Sequence, residues 1–162
     1  MADPLPVRAA RAGELDRAVD TIALAFAADP FMRWVFPEAS DFLEHFRAVL
    51  REFGRHAIAH GSVYVAGDFA GAAIWLAPGV HPDETHWYLP MIGVDPSRQS
   101  CGVGSALMQH ALARSDHEGL HAYLESSNPA NLSLYERQGF EILGEIQVAD
   151  SPVVTPMLRR PR

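Results

Sequence analysis

The stretch W-Y-L-P-M-I-G-V-D-P-S-R-Q-S-C-G-V-G-S-A-L-M, residues 87–108, decides the fold. Its first eight residues are an apolar run that closes at Asp95-Pro96, the pattern of a strand buried on both faces and therefore of a central strand. Residues 102–115 follow as a helix, with Val103, Leu107, Ala111 and Leu112 on one stripe. Glycines at 102 and 104 let the main chain approach a ligand. The first-turn N–H groups of a helix lack intrahelical acceptors, so such a turn suits a pyrophosphate. The same Gly-x-Gly also serves tight strand-to-helix packing with no ligand, and both readings stand at this point. The loop lacks the Gly-Lys-Ser/Thr ending of a nucleoside-triphosphate loop, and Leu107 occupies the third glycine position of a dinucleotide fingerprint.

Upstream, residues 5–10 read as a first strand. A helix opened by Gly13-Glu14 then carries Leu15, Ala18, Val19, Ile22 and Phe26 at helical spacing and stops at Asp29-Pro30. Residues 41–60 form a second helix, with Phe42, Leu43, Phe46, Val49, Leu50 and Phe53 on its apolar face. Phe31, Trp34 and Phe36, between the two, are read as core, with an aromatic substrate wall as the alternative. Residues 63–66 and 72–76 form a hairpin around Gly67-Asp68. Downstream come a strand at 122–124, a helix at 130–138 ended by Gly139, a strand at 142–148 and a last one at 153–158. Pro152 and Pro156 suggest an edge position for that last strand.

A second strand, turn and helix occupies residues 123–140, Y-L-E-S-S-N-P-A-N-L-S-L-Y-E-R-Q-G-F. Asn131 and Tyr135 are four residues apart and Asn128 is seven before Tyr135, so all three project toward one side of the helix.

Gln99-x-x-Gly102-x-Gly104, after a strand ending Ile92-Gly93-Val94-Asp95-Pro96, resembles the acyl-CoA-binding motif of the GNAT acetyltransferases. Leu134-Tyr135-Glu136-Arg137-Gln138-Gly139-Phe140 resembles the element of that superfamily whose tyrosine is the general acid. The resemblance implies an α/β (α+β) fold: a mixed sheet of about six to seven strands flanked by about four helices, with splayed central strands forming the CoA cleft. It implies that Gln99, Ser100, Cys101, Gly102, Val103, Gly104 and Ser105 line the pyrophosphate site, chiefly through main-chain donors. The main chain near Ile92 and Val94 would pair with pantetheine as an added strand does, Gly93 between them belonging to the same cofactor site, and Asn128 and Asn131 would contact the cofactor. The Asn131-x-x-x-Tyr135 pattern after Leu-Glu-Ser-Ser is similar to puromycin N-acetyltransferase-like members. Two positions depart from the family pattern, where Gly often stands at Ser100 and Lys, Arg or Gln at Cys101. Arg98 is the nearby cation, and Cys101 is either a loop filler or a thiol activated by the helix N-terminus.

Acetyl transfer to an amine needs a neutral nucleophile, stabilisation of the oxyanion and a proton for the leaving thiolate. A phenol of pKa about 10 stays protonated at neutral pH and can supply that proton to a thiolate whose parent pKa is about 8.5. Tyr135 suits the role, the alternative being an ordinary helix tyrosine packed on the sheet. Glu125, at the end of an apolar strand and on the face opposite Leu124 and Ser126, is the candidate base for a protonated amine. A structural carboxylate is the alternative. His81, Glu84 and His86 could line the acceptor side but lack metal-ligand spacing, so no metal is expected.

With 162 residues the chain is expected to be one domain, 1–162, using acetyl-CoA to acetylate a primary amine of a small molecule in a ternary complex, as a monomer or homodimer. The alternatives are a protein or peptide N-acetyltransferase and a non-catalytic acyl-CoA sensor. The net charge of −7, without a Lys/Arg block, argues against nucleic acid. A single cysteine, no signal-peptide core and no apolar run of about 18 residues argue against disulfides and a membrane, and lead to the expectation of a cytoplasmic protein.

Overall fold

Alternation along the strands sorts their apolar side chains onto two faces, and helices cover both. The computed structural model describes residues 5–80 and 85–162. Seven strands, β1 (Val7–Ala9), β2 (Val63–Ala66), β3 (Gly71–Leu76), β4 (Trp87–Val94), β5 (Ala122–Ser126), β6 (Glu141–Ile142) and β7 (Thr155–Arg159), form one sheet in the order β1-β2-β3-β4-β5-β7-β6. Every neighbouring pair is antiparallel except β4 and β5. The mixed seven-stranded sheet with β4 at its centre is the arrangement that the GNAT resemblance implies.

On one face α1 (Leu15–Ala25), α4 (Arg47–Ala59) and the turn leading into α4 bury Val19, Ile22, Leu50 and Phe46 against Val63, Val65 and Ile74. On the other, α5 (Val103–Glu118) buries Val103, Leu107, Met108 and Leu112 against Trp75, Leu89 and Leu124. Three further helices are short: α2 (Pro30–Val35), α3 (Ala39–Asp41), which runs through a π-helical turn at Phe42–Phe46 into α4, and α6 (Leu132–Arg137).

The feature that positions the site is an irregularity in β4. Ile74 pairs with Met91 and Leu76 with Tyr88, so two steps on β3 match three on β4, which makes a β-bulge around Leu89-Pro90. Proline suits that place because a bulge leaves a residue out of the ladder. β4 stays paired with β5 only from Trp87 to Leu89 and then leaves it, while its pairing to β3 runs on to Val94. The extra residue also reverses the alternation. Trp87 and Leu89 share the α5 face with Ile92 and Val94, whereas Tyr88 and Met91 pack on the α1 face. The backbone follows suit: the Trp87 N–H donates toward β5, to the His121 carbonyl at 2.8 Å, while the Asp95 N–H donates back to Ala70 beside β3 at 2.9 Å. Counting back from Asp95, the N–H and C=O groups of Ile92 and Val94 point away from β3 into the gap.

Several sequence expectations are corrected. The last strand is not an edge: β7 lies between β5 and β6. Pro156 is tolerated there because its open side faces the end of the two-residue β6, where its carbonyl accepts the Leu143 N–H at 2.9 Å. The strand expected at 142–148 reduces to β6 and an isolated bridge between Ile146 and Val154. Leu43 and Val49 are exposed rather than on the buried face, because the π turn leaves a narrow stripe of Phe42, Phe46 and Leu50 facing inward. Pro30 begins α2 instead of merely ending a helix, with Asp29 as its N-cap. Of the aromatic residues read as core, Trp34 is exposed and Phe31 lines a cavity.

Candidate active site

Where β4 and β5 part, two cavities meet. The larger, about 650 Å3, runs along the freed edge of β4 to the N-terminus of α5. Ile92, Gly93, Val94, Gln99, Ser100, Gly102, Val103, Gly104 and Ser105 line it, as do Asn128, Asn131 and Tyr135 from the opposite side. Cys101 is exposed and lines neither cavity.

Local conformation explains the turn. Gly102 is the N-cap of α5 with φ +81°, and Ser100 sits at φ +60°, both in the left-handed region. No side chain caps α5 and its first turn holds no acidic residue, so the first N–H groups remain available to an anion in the cavity. Gly104 allows a close approach, since a Cβ there would meet Leu134 of α6 at 3.3 Å and Val94 at 3.7 Å. Gly93 does the same for α1: its missing Cβ would fall 2.9 Å from the Ile22 Cα. The Asn128 carbonyl oxygen Oδ1 accepts the Ala130 N–H at 3.0 Å, which orders the entry to α6. Arg98 and Arg137 supply positive charge along the walls. An uncapped helix end, two arginines and a free strand edge fit a diphosphate ester with an amide-containing arm, which is the chemistry of coenzyme A.

The smaller cavity, about 350 Å3, lies on the other side of the junction and shares Phe26, Ile92, Asn131 and Tyr135 with the first. Its walls come from β4, β5, α2 and residues 146–154. Glu125 is the one charged side chain lining it among the described residues. Strand alternation puts Tyr123 on the same face as Glu125, and the parallel register sets Tyr88 beside Tyr123. Both phenols donate to the carboxylate, Tyr88 to Oε2 at 2.7 Å and Tyr123 to Oε1 at 2.8 Å. Such hydrogen bonds to an ionised acceptor fix its orientation. Burial, then the Glu125 carboxylate, pushes the Tyr123 phenol well above the usual tyrosine range, so it remains a donor.

Tyr135 stands at the junction and is buried, its ring edge-on to Phe140 at 6.2 Å. Burial, and secondarily the Asp29 carboxylate, raises its pKa well above the ordinary value, so the phenol stays protonated throughout the neutral and mildly alkaline range. Asp29 is held in place by the Met32 N–H at 2.9 Å and the Ser127 hydroxyl at 2.7 Å, which ties the start of α2 to the end of β5.

The structure thus brings together every residue expected at the cofactor cleft except Cys101, and sets Glu125 in the adjoining cavity. His86 packs edge-on against Tyr123 at 5.5 Å and lines neither cavity; His81 and Glu84 lie outside the described residues. No group of three or more His, Cys, Asp or Glu among the described residues is placed to hold a metal, and no helix among them is long and apolar enough to cross a membrane. Sequence reasoning missed Arg137, Phe26, and the tyrosine pair that holds Glu125. Tyr123 was within reach, two positions before Glu125 on one strand face, whereas Tyr88 joins it only through the β4–β5 register.

Comparison with known proteins agrees with this geometry. The model of the acetyltransferase (GNAT) family matches residues 21–140. A crystal structure from Corynebacterium glutamicum, described as histone acetyltransferase HPA2 and related acetyltransferase, is 30% identical with a TM-score of 0.78, covering 98% of this chain and 97% of that one. An uncharacterized N-acetyltransferase of Schizosaccharomyces pombe is 25% identical over 80% of this chain and 71% of its own length. The peptidyl-lysine N-acetyltransferase YjaB of Escherichia coli is 26% identical over 73% of this chain and 76% of its own.

Proposed function

This chain belongs to the acetyltransferase (GNAT) family and is an acetyl-CoA-dependent N-acetyltransferase; from that premise we propose that it acetylates a primary amine of a small molecule by direct attack, with Tyr135 as general acid. The observation that carries the reading is Tyr135 at the junction of a cleft suited to coenzyme A and a cavity bearing one fixed carboxylate. Acetyl-CoA supplies an activated thioester.

The chain's own groups do the rest. The Ile92 and Val94 main chain and the α5 N-terminus bind and orient, with Gln99, the 100–105 turn, Asn128, Asn131, Arg98 and Arg137 around them. Glu125 takes the proton of the arriving ammonium, directly or through one water, and frees the nitrogen lone pair. The Tyr135 hydroxyl donates its proton to the departing sulfur. A buried phenol is a weak acid, but the same dry surroundings raise the basicity of the thiolate it faces, so the two remain matched. No Cys-His or Ser-His pair has been identified in the sequence, which supports a ternary complex over a covalent acyl-enzyme. The reading treats residues 1–162 as one catalytic domain related to puromycin N-acetyltransferase-like members through Asn131-x-x-x-Tyr135. It also places the protein in the cytoplasm, on the strength of a lone cysteine.

A peptide acceptor is the second reading, favoured by the name of the E. coli relative. Thiol release from acetyl-CoA with small amines and lysine peptides, alongside calorimetry with coenzyme A, tests the first. Saturable release with a small amine is expected. Turnover confined to peptides would replace the acceptor, and failure to bind coenzyme A would remove the whole reading.

A further inference from the structure

The smaller cavity carries more information about the acceptor than its class. Apart from Glu125, its charged content among the described residues is nil; Ser126, Ser127, Asn131 and Ser151 add uncharged polar groups, and the rest of its body is chiefly apolar, with Phe31, Met32, Leu89, Met91, Ile146 and Val154. One carboxylate in such surroundings matches one ammonium. With both Glu125 oxygens already accepting a tyrosine hydroxyl, about two of its roughly four acceptor sites are left for the substrate. Among the described residues no other carboxylate and no Arg or Lys lines the cavity, so a second ammonium or a carboxylate would meet no counter-charge from them. The volume of about 350 Å3 is at the small end of ligand sites, which span roughly 300–1,000 Å3.

The Trp34 indole N–H donates to Asp150 Oδ1 at 3.2 Å, joining α2 to the 146–154 segment, two of the elements that contribute to the cavity walls.

We propose that the acceptor is a compact monoamine with an apolar aryl or alkyl body and no second charge, as distinct from a polyamine or an amino acid. The proposal rests on the small-amine reading above. The carboxylate takes the ammonium, the apolar walls take the body, and the nitrogen is left directed at the junction where Tyr135 stands. In the transfer the amine nitrogen bonds to the acetyl carbon as the carbon–sulfur bond breaks. The ammonium proton goes to Glu125, the second nitrogen proton to solvent, and the thiolate is protonated by Tyr135; Glu125 then releases its proton to solvent and the Tyr135 phenolate takes one back, so that one proton is released overall.

The test is a thiol-release panel at saturating acetyl-CoA with n-butylamine to n-heptylamine, 2-phenylethylamine, phenylalanine, putrescine, spermidine and an N-acetylated lysine pentapeptide. Burial of each methylene is worth about 0.8 kcal/mol, so kcat/KM is expected to rise about fourfold per carbon along the alkyl series until the cavity is filled. 2-Phenylethylamine is expected to exceed phenylalanine by about a hundredfold or more, the difference being one unpaired carboxylate. Val148→Asp places a second carboxylate at the exposed rim of the cavity and leaves the core intact. It is expected to raise putrescine turnover and lower that of hexylamine. A flat alkyl series, or preference for spermidine, phenylalanine or the peptide, overturns the proposal. Calorimetric binding of coenzyme A with no monoamine turned over also overturns it while leaving the cofactor site standing. Absence of coenzyme A binding removes the underlying reading as well.

Discussion

Replacing Tyr135 by Phe separates a chemical role from a packing role. The Tyr135 ring is buried against Phe140, and its hydroxyl makes no hydrogen bond to a described residue. Deleting the oxygen therefore leaves no orphaned partner and no cavity larger than one atom, so stability should change by less than about 1 kcal/mol, or about 2–4 °C in Tm for a chain of this size. General acid catalysis contributes about 10²- to 10⁴-fold, so the same change should lower kcat by that factor, about 2.7–5.4 kcal/mol of barrier. Because the lost interaction forms only as the thiolate departs, kcat and kcat/KM should fall together while the Kd for coenzyme A holds. The assay is thiol release with the best amine of the panel, with calorimetry and thermal unfolding run on the same preparation. The pH profile adds a second reading. Burial raises the Tyr135 pKa in the folded protein, so the acid form persists as pH climbs, and the wild-type rate should show no alkaline limb from this phenol up to pH 10. A variant within threefold of wild-type kcat would refute the acid role. A loss that follows coenzyme A affinity or Tm would make Tyr135 a packing residue.

Three other perturbations test neighbouring claims. Glu125→Gln keeps the shape of the carboxyl and removes its charge, so kcat/KM for amines should drop about 10²-fold or more with coenzyme A affinity unchanged; an unaltered pH–rate profile would count against the base. Ser100→Gly relieves a left-handed residue, a gain of about 1–2 kcal/mol against about 0.5–1 kcal/mol of added chain entropy. The net gain of up to about 1.5 kcal/mol should raise Tm by up to about 6 °C, and a fall would contradict the turn geometry. Asp116 forms a bidentate pair at 2.7 and 2.8 Å with Arg159, which is buried, and the hydrogen bonds to that guanidinium lower its pKa. A carboxylate depressed in the folded state adds stability that is complete above its unfolded pKa of about 3.9 and disappears as pH falls through the folded value. Asp116→Ala should cost about 3–5 kcal/mol at pH 7 in urea unfolding and less at pH 3; equal losses at both would contradict the pairing.

Much of this architecture can be read from periodicity. Residues 87–94 and 103–112 announce the central strand and the helix after it, because an eight-residue apolar run and a four-residue stripe are strong local patterns. The candidate cofactor cleft is legible through its resemblance to the GNAT acyl-CoA motif, its residues lying in two short consecutive segments. What escapes depends on pairing between distant elements. Pro90 signals an irregularity, but only the register with β3 shows that it shifts the phase of β4. The interior place of β7 depends on how short β6 is, and the hydrogen bond between Trp34 and Asp150 spans 116 positions. Asp29-Pro30 looks alike as the stop of one helix and the start of another, and only tertiary packing of Phe31 and Met32 beside the smaller cavity favours the six-residue α2.

The bulge at Leu89-Pro90 makes β4 two half-strands of opposite parity. A saturation scan along it should therefore show tolerance alternating with a period of two, and the beat should skip once, between 89 and 91. Removing a single residue there would leave the strand's length almost untouched yet swap its two edges downstream, turning toward β3 the amides that now face the gap. One inserted residue in a strand of eight thus decides which residues' amides line the gap that opens where β4 leaves β5.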